Sequence, residues 1–185
     1  RYQLAVFGLV LALTGCVGNV APIVETGDLA LVGAQLIDGT GAAPTVDSVI
    51  IIRDGRITAA GSRETTPVPA GAEVIDVSGK SIIPGLVNLH VHYRGERADM
   101  ESQFDAQLYY GVTTARSTGS DSPESVELLL EANAGRPDYP RAYTAGYGFS
   151  HPGGFNAAGR NAPATEDEAR AMVRKQIALG VHFIK

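Results

Sequence analysis

From Leu29 to Pro84 the hydrophobic pattern shortens toward period two, and turn residues recur. "LALVGAQLI" is strand-like, and "DGTGAAP" interrupts it. "SVIIIRDGRITAAG" sets two β-branched runs around Asp54-Gly55, the strongest short-range hairpin signal. "AEVIDVSGKSIIPG" adds a strand, a turn at Ser78-Gly79 and an apolar run ending at Pro84-Gly85. The pattern predicts a small β-sandwich lobe over residues 28–84, or a single small sheet. Either is too small to be comfortable alone.

After Pro84 the period changes. "LVNLHVH" reads as a strand, and "RADMESQFDAQLYYG" follows with helical spacing that stops at Gly111. "VTTARS" is a second strand. "SPESVELLLEANAG" opens with Ser122 as N-cap and Pro123 at the first helical position, and Gly135 closes it. "RAYTAGYGF" is a third strand. Thr165 and Glu168 form a capping box ahead of "ARAMVRKQIAL", and "VHFIK" would be a fourth strand. Strand and helix in alternation predict parallel βαβ units and an α/β fold. Four such units over residues 85–185 fit the N-terminal half of a (β/α)8 barrel, or a small doubly wound sheet. No GxGxxG follows any strand, so a dinucleotide site has no support.

The first residues follow neither pattern. A positive residue, ten apolar-rich residues from Leu4 to Leu13 and then Thr14-Gly15-Cys16 are too short to span a bilayer, which takes about 20. They fit a signal-peptide core. The "LTGC" ending resembles a bacterial lipoprotein signal, which implies cleavage before Cys16 and lipid on its sulfur. An ordinary secretory segment, or a buried helix with an incidental cysteine, is the alternative. Residues 1–16 are then the signal and 17–27 a tether. The protein is expected to be exported and held by lipid on the outer side of a bacterial membrane. Val17 after the cysteine points to an outer membrane if the host has one. The chain begins at Arg1 and stops at Lys185 after an apolar run, as expected of a fragment cut at both ends. A formal charge of -5, with no basic stripe, excludes nucleic acid as a partner.

The chemistry concentrates in "GLVNLHVHYRG". Side chains two apart on a strand share a face, so His90 and His92 point the same way. In a parallel barrel that is the interior near the strand's C-terminal end, where barrel active sites are built. Two neutral imidazoles there suit zinc or a similar divalent ion. A hydrogen-bonded structural pair is the other reading.

"DVSGKSIIPGLVNLHVHY" resembles the amidohydrolase superfamily, and so do "GAQLIDGTG…VIIIRDGRITAAG" before it and "YYGVTTARSTG" after it. The resemblance covers about residues 28 to 185. It is nearest to imidazolonepropionase-like and Xaa-Pro dipeptidase-like members. It implies that His90 and His92 are metal ligands and that Lys185, in "ALGVHFIK", is a carboxylated lysine bridging two zinc-like ions. The plainer reading of Lys185 is a surface lysine. Two further histidines and a general-base aspartate would come from later strands, beyond Lys185. The implied reaction is metal-assisted hydrolysis of a C–N bond in a small amide, cyclic amide or dipeptide. A mononuclear deaminase and a non-catalytic lipoprotein scaffold are the alternatives. Two departures stand out. The family often has aspartate where His182 stands, and Arg-Asp where this chain has Arg116-Ser117. His182 is three residues from Lys185, on the opposite face of a strand, and is not counted as a ligand. Arg116 reads as a rim or structural residue. His151, in the long "GFSHPGGFNAAGRNAPA" loop, is a candidate substrate contact, against the plainer reading of a solvated loop histidine.

Overall fold

The computed structural model describes residues 27–155, 157 and 161–185, which form two compact units. The expectations for residues 1–16, and for all but the last residue of the tether, lie outside these.

The first unit is one mixed five-stranded sheet: β1 (Leu29–Leu36), β2 (Thr45–Arg53), β3 (Arg56–Ser62), β4 (Glu73–Asp76) and β5 (Ser81–Ile82). The order is β3-β2-β1-β4, with β5 also on β1. The pairs β1–β2 and β2–β3 are antiparallel, while β4 and β5 run parallel to β1. Asp54 and Gly55 both have positive φ, 50° and 69°, which is the primed turn that Asp-Gly favours. Between Val32 and Ala34 the register slips past Gly33, at φ 89°. A side chain there would run into Ser78, so the bulge requires glycine. Ala30, Val32, Val49 and Ile51 form the buried face. A sandwich would cover that face with a second sheet. Among the described residues Val68 and Ala72, from the β3–β4 connection, pack on it instead.

The second unit holds β6 (Leu86–Val91), α1 (Arg97–Tyr109), β7 (Val112–Ser117), α2 (Pro123–Asn133), β8 (Arg141–Thr144) and α3 (Glu166–Ala178). The strands lie side by side in the order β6-β7-β8, all parallel. The helix starts are those the sequence marks. Ser122 Oγ accepts the Ser125 N–H at 3.2 Å, and Thr165 Oγ1 accepts that of Glu168 at 3.3 Å. Glu168 reaches back to the N–H of Ala164 rather than of Thr165. Met100 and Phe104 of α1 and Leu128, Leu129 and Ala132 of α2 pack on Ala115 and Ala142 of the sheet. Phe104 is fully buried between Tyr93, which it meets edge-on, and Tyr139, to which it is tilted by 58°, with ring centroids 4.9 and 5.0 Å away.

Two expected strands differ. The third stops at Thr144, and residues 145–149 turn into loop. "VHFIK" runs beside β8 without becoming a strand. Its His182 N–H donates to the Thr144 carbonyl at 2.9 Å, as a parallel neighbour's would. The return bond is missing, because the Thr144 N–H goes to His182 Nδ1 at 3.2 Å. The imidazole takes the donor that a backbone carbonyl would need to close the ladder. Lys185 therefore lies in an extended tail, not at the end of a fourth strand.

Phe104→Ala should cost about 3–5 kcal/mol, read as a lower urea midpoint, because the cavity between two rings cannot collapse. His182 gives a pH dependence. Desolvation pulls its imidazole below the ordinary value, so the fold favours the neutral ring that accepts from Thr144. The ordinary value, about 6.5, is that of the unfolded chain. The stability from this group is complete above that pH and is lost as pH falls through the lower folded value. Urea midpoints at pH 7 and pH 5 should therefore fall further apart in the wild type than in His182→Asn.

Candidate metal centre

β6 carries His90 and delivers His92 just past its C-terminal end, and the backbone N–H of His90 is tied to Asn88 Oδ1 at 3.1 Å. Both rings lean the same way. Their Nε2 atoms are 3.2 Å apart and the rings meet edge-on at 64°. Two imidazoles on one tetrahedral zinc, each at about 2.0–2.1 Å, would hold their nitrogens roughly 3.3 Å apart. The observed spacing is close to that value. The outer nitrogen of His92, Nδ1, is 2.9 Å from Ser120 Oγ. Thr118 Oγ1 lies 3.4 Å from His92 Nε2, and the Thr118 N–H donates to the Val91 carbonyl at 3.0 Å. The loop after β7 thus crosses the end of β6 and supports His92 from behind.

Lys185 touches the same loop. A Cβ on Gly119 would stand 3.3 Å from Lys185 Cδ, and 3.1 and 3.2 Å from the Cα and N of Gly148. With φ at 98°, Gly119 also has a backbone that side-chain-bearing residues rarely adopt. The tail is anchored by the Phe149 N–H, which donates to the Lys185 carbonyl at 2.7 Å, and by Arg116, stacked 5.0 Å over Phe183. Lys185 itself is exposed, so its ammonium carries no burial cost here. His151 is folded into its own loop, with Nδ1 2.9 Å from the Pro152 carbonyl and its ring against Gly154. No hydrogen bond or ring contact joins it to the histidine pair among the described residues. Cys16 lies outside the described residues. Among the described residues no three His, Cys, Asp or Glu side chains are placed to share an ion.

Sequence reasoning missed Asp121. In "STGSDSPE" it reads as one more polar loop residue ahead of a helix cap. It is buried, at 1% exposure. Ser117 Oγ donates to its Oδ1 at 2.5 Å and Thr144 Oγ1 to its Oδ2 at 2.6 Å. Burial pushes its carboxyl above the usual carboxylate range, and the two hydroxyls work against that rise. Ser120 and Thr118 were missed as well. Their partner His92 is 28 and 26 residues away, beyond any local pattern.

No protein-family model matches the chain. Over 99 residues it is 35% identical to a 5-methylthioadenosine/S-adenosylhomocysteine deaminase of Symbiobacterium thermophilum, covering 50% of this chain and 23% of that protein. Over 96 residues it is 36% identical to a dihydroorotase of Pelotomaculum thermopropionicum, covering 51% of this chain and 20% of the other. A solved amidohydrolase superposes on 85% of this chain and 46% of its own, with a TM-score of 0.73 and 23% identity. In sequence and in fold the chain is similar to proteins of the amidohydrolase superfamily. Its β6-to-α3 unit is a partial, barrel-like run of the superfamily's parallel strands. The superfamily match spans a quarter or less of these two curated relatives and under half of the solved one.

Proposed function

We propose that the whole protein is a metal-dependent hydrolase of C–N bonds in small amides, cyclic amides or dipeptides, and that this chain provides its first ligands. The observation carrying this reading is the 3.2 Å approach of the His90 and His92 Nε2 atoms at the C-terminal edge of a parallel sheet. The relatives' names, a deaminase and a dihydroorotase, belong to the same broad chemistry of breaking C–N bonds. His90 and His92 would hold a zinc-like ion, and Lys185, carboxylated, would join them as the ligand shared with a second. Such ions supply a hydroxide near neutral pH and polarise a carbonyl. The rest is the work of this chain's own side chains. Ser120 takes the outer nitrogen of His92, and Nε2 is the nitrogen that faces His90. Gly119 keeps the path of the Lys185 side chain open. His151, in the loop after β8, is the candidate for a contact with substrate. The superfamily resemblance assigns the general base to an aspartate on a later strand.

The test is metal content. The full chain, loaded with zinc and freed of excess by gel filtration, should retain metal by elemental analysis, and His90→Ala/His92→Ala should fall to background. Retention by the double variant would overturn the assignment. A deaminase with a single ion is the reading that the deaminase relative favours. It leaves Lys185 out of the site, so Lys185→Ala would then retain the wild-type amount.

We also propose that Cys16 is the lipid-bearing first residue of an exported protein, on the strength of the apolar run and "LTGC". Radioactive palmitate fed to expressing cells should label the wild type and leave Cys16→Ser unlabelled.

A further inference from the structure

Asp121 is the only acidic or basic side chain among the buried polar residues described. Shut away from solvent, it is out of a substrate's reach and acts through its neighbours. A buried carboxylate is costly unless its oxygens are bonded, and here both are. The two hydroxyls that bond it belong to residues that face each other across the sheet. Ser117 and Thr144 are the last partnered pair of β7 and β8. Asp121 therefore clamps the ends of two strands. Thr144 Oγ1 extends the clamp by accepting the Gly146 N–H at 2.9 Å, while the Asp121 N–H donates to the Gly146 carbonyl at 3.2 Å. The Gly148 N–H donates to the Gly119 carbonyl at 3.1 Å, so residues 119–121 run antiparallel to 146–148.

To reach this clamp from Ser117 the chain must double back within four residues, and the fold-back presses Ser120 onto His92 Nδ1. A neutral imidazole has a single N–H, and the nitrogen that carries it cannot also bind a metal. Ser120 Oγ can accept that proton from Nδ1, and Nε2, 3.2 Å from His90 Nε2 and 3.4 Å from Thr118 Oγ1, is then the nitrogen without one.

We infer that Asp121 is a positioning residue for the two-histidine centre, holding Ser120 where it fixes the Nδ1–H tautomer of His92. The inference rests on the proposed role of His90 and His92 as ligands. It adds a residue that touches neither.

The experiment uses the metal-free full chain labelled with 15N-histidine, above the titration range of imidazole, where two-bond proton–nitrogen spectra report which ring nitrogen is protonated. Wild-type His92 should carry its proton on Nδ1. Asp121→Asn, which swaps one acceptor for a donor, should shift it toward Nε2. Thr144→Val, which removes one of the two hydroxyls and keeps the shape, should shift it the same way by less and covers the case in which Asp121→Asn does not fold. Ser117→Asp/Asp121→Ser, with the carboxylate moved across the 2.5 Å contact, should restore the wild-type tautomer. Leu129→Ala, a cavity in the helix-covered core, should lower Tm and leave the tautomer alone. Cobalt(II) added to the same samples should bind Asp121→Asn ten- to a hundredfold more weakly than wild type, in line with lost support of a ligand. A proton on Nε2 in the wild type, no change in either clamp variant, or an equal change in Leu129→Ala would overturn the role of Asp121. If cobalt binds none of the proteins, the ligand assignment fails, and the tautomer spectra still decide whether Asp121 positions His92.

Discussion

Three parallel strands end at one edge, and the rest of the site depends on that constraint. Antiparallel neighbours would send alternate connections to opposite edges. In the order β6-β7-β8 every strand hands its chain to a loop on the same side. His92, the Thr118–Asp121 loop and the Thr144–Gly148 segment meet there for that reason alone. Their polar side chains then have to satisfy one another, because the helices cover the flank where Met100, Phe104 and Leu129 lie. The serine and threonine hydroxyls close the gaps between strand ends that differ in length.

Much of this was legible from the sequence, and the legible parts share a cause. Asp54-Gly55, Ser122-Pro123, Thr165 and Gly111 act on their own few residues, so a short window suffices to see what they do. The histidine pair was legible in the same way, since strand alternation alone puts His90 and His92 on one face. Asp121 was not. Its burial comes from a bond to Thr144, 23 residues on, and a polar residue in a polar stretch gives no sign of being enclosed. The tail at 181–185 was misread for a subtler reason. Its apolar pattern is that of a strand, but one imidazole nitrogen competes with a carbonyl for a single N–H, and the competition is visible only once the tail lies beside β8.

The two units also show what a bulge and a turn cost in sequence freedom. Gly33 and Gly119 both sit at positive φ with neighbouring atoms in the space a Cβ would fill. One lets β1 change register in the lobe. The other lets a four-residue loop reverse over the strand ends. Most of the other described glycines at positive φ face open space, and for those the backbone angle is the whole requirement.

The separations along the chain have a consequence for synthesis. His90 and His92 are two residues apart, Ser120 is 28 residues from His92, and Thr144 is 23 from Asp121. The last two contacts each join a strand end to the next one made. A chain leaving the ribosome from its N-terminus meets these partners in order, with short loops to close at every step. The histidine pair and its supporting loop can come together as soon as β8 has emerged, so the arrangement at the strand ends is complete before any later part of a longer chain is needed to hold it.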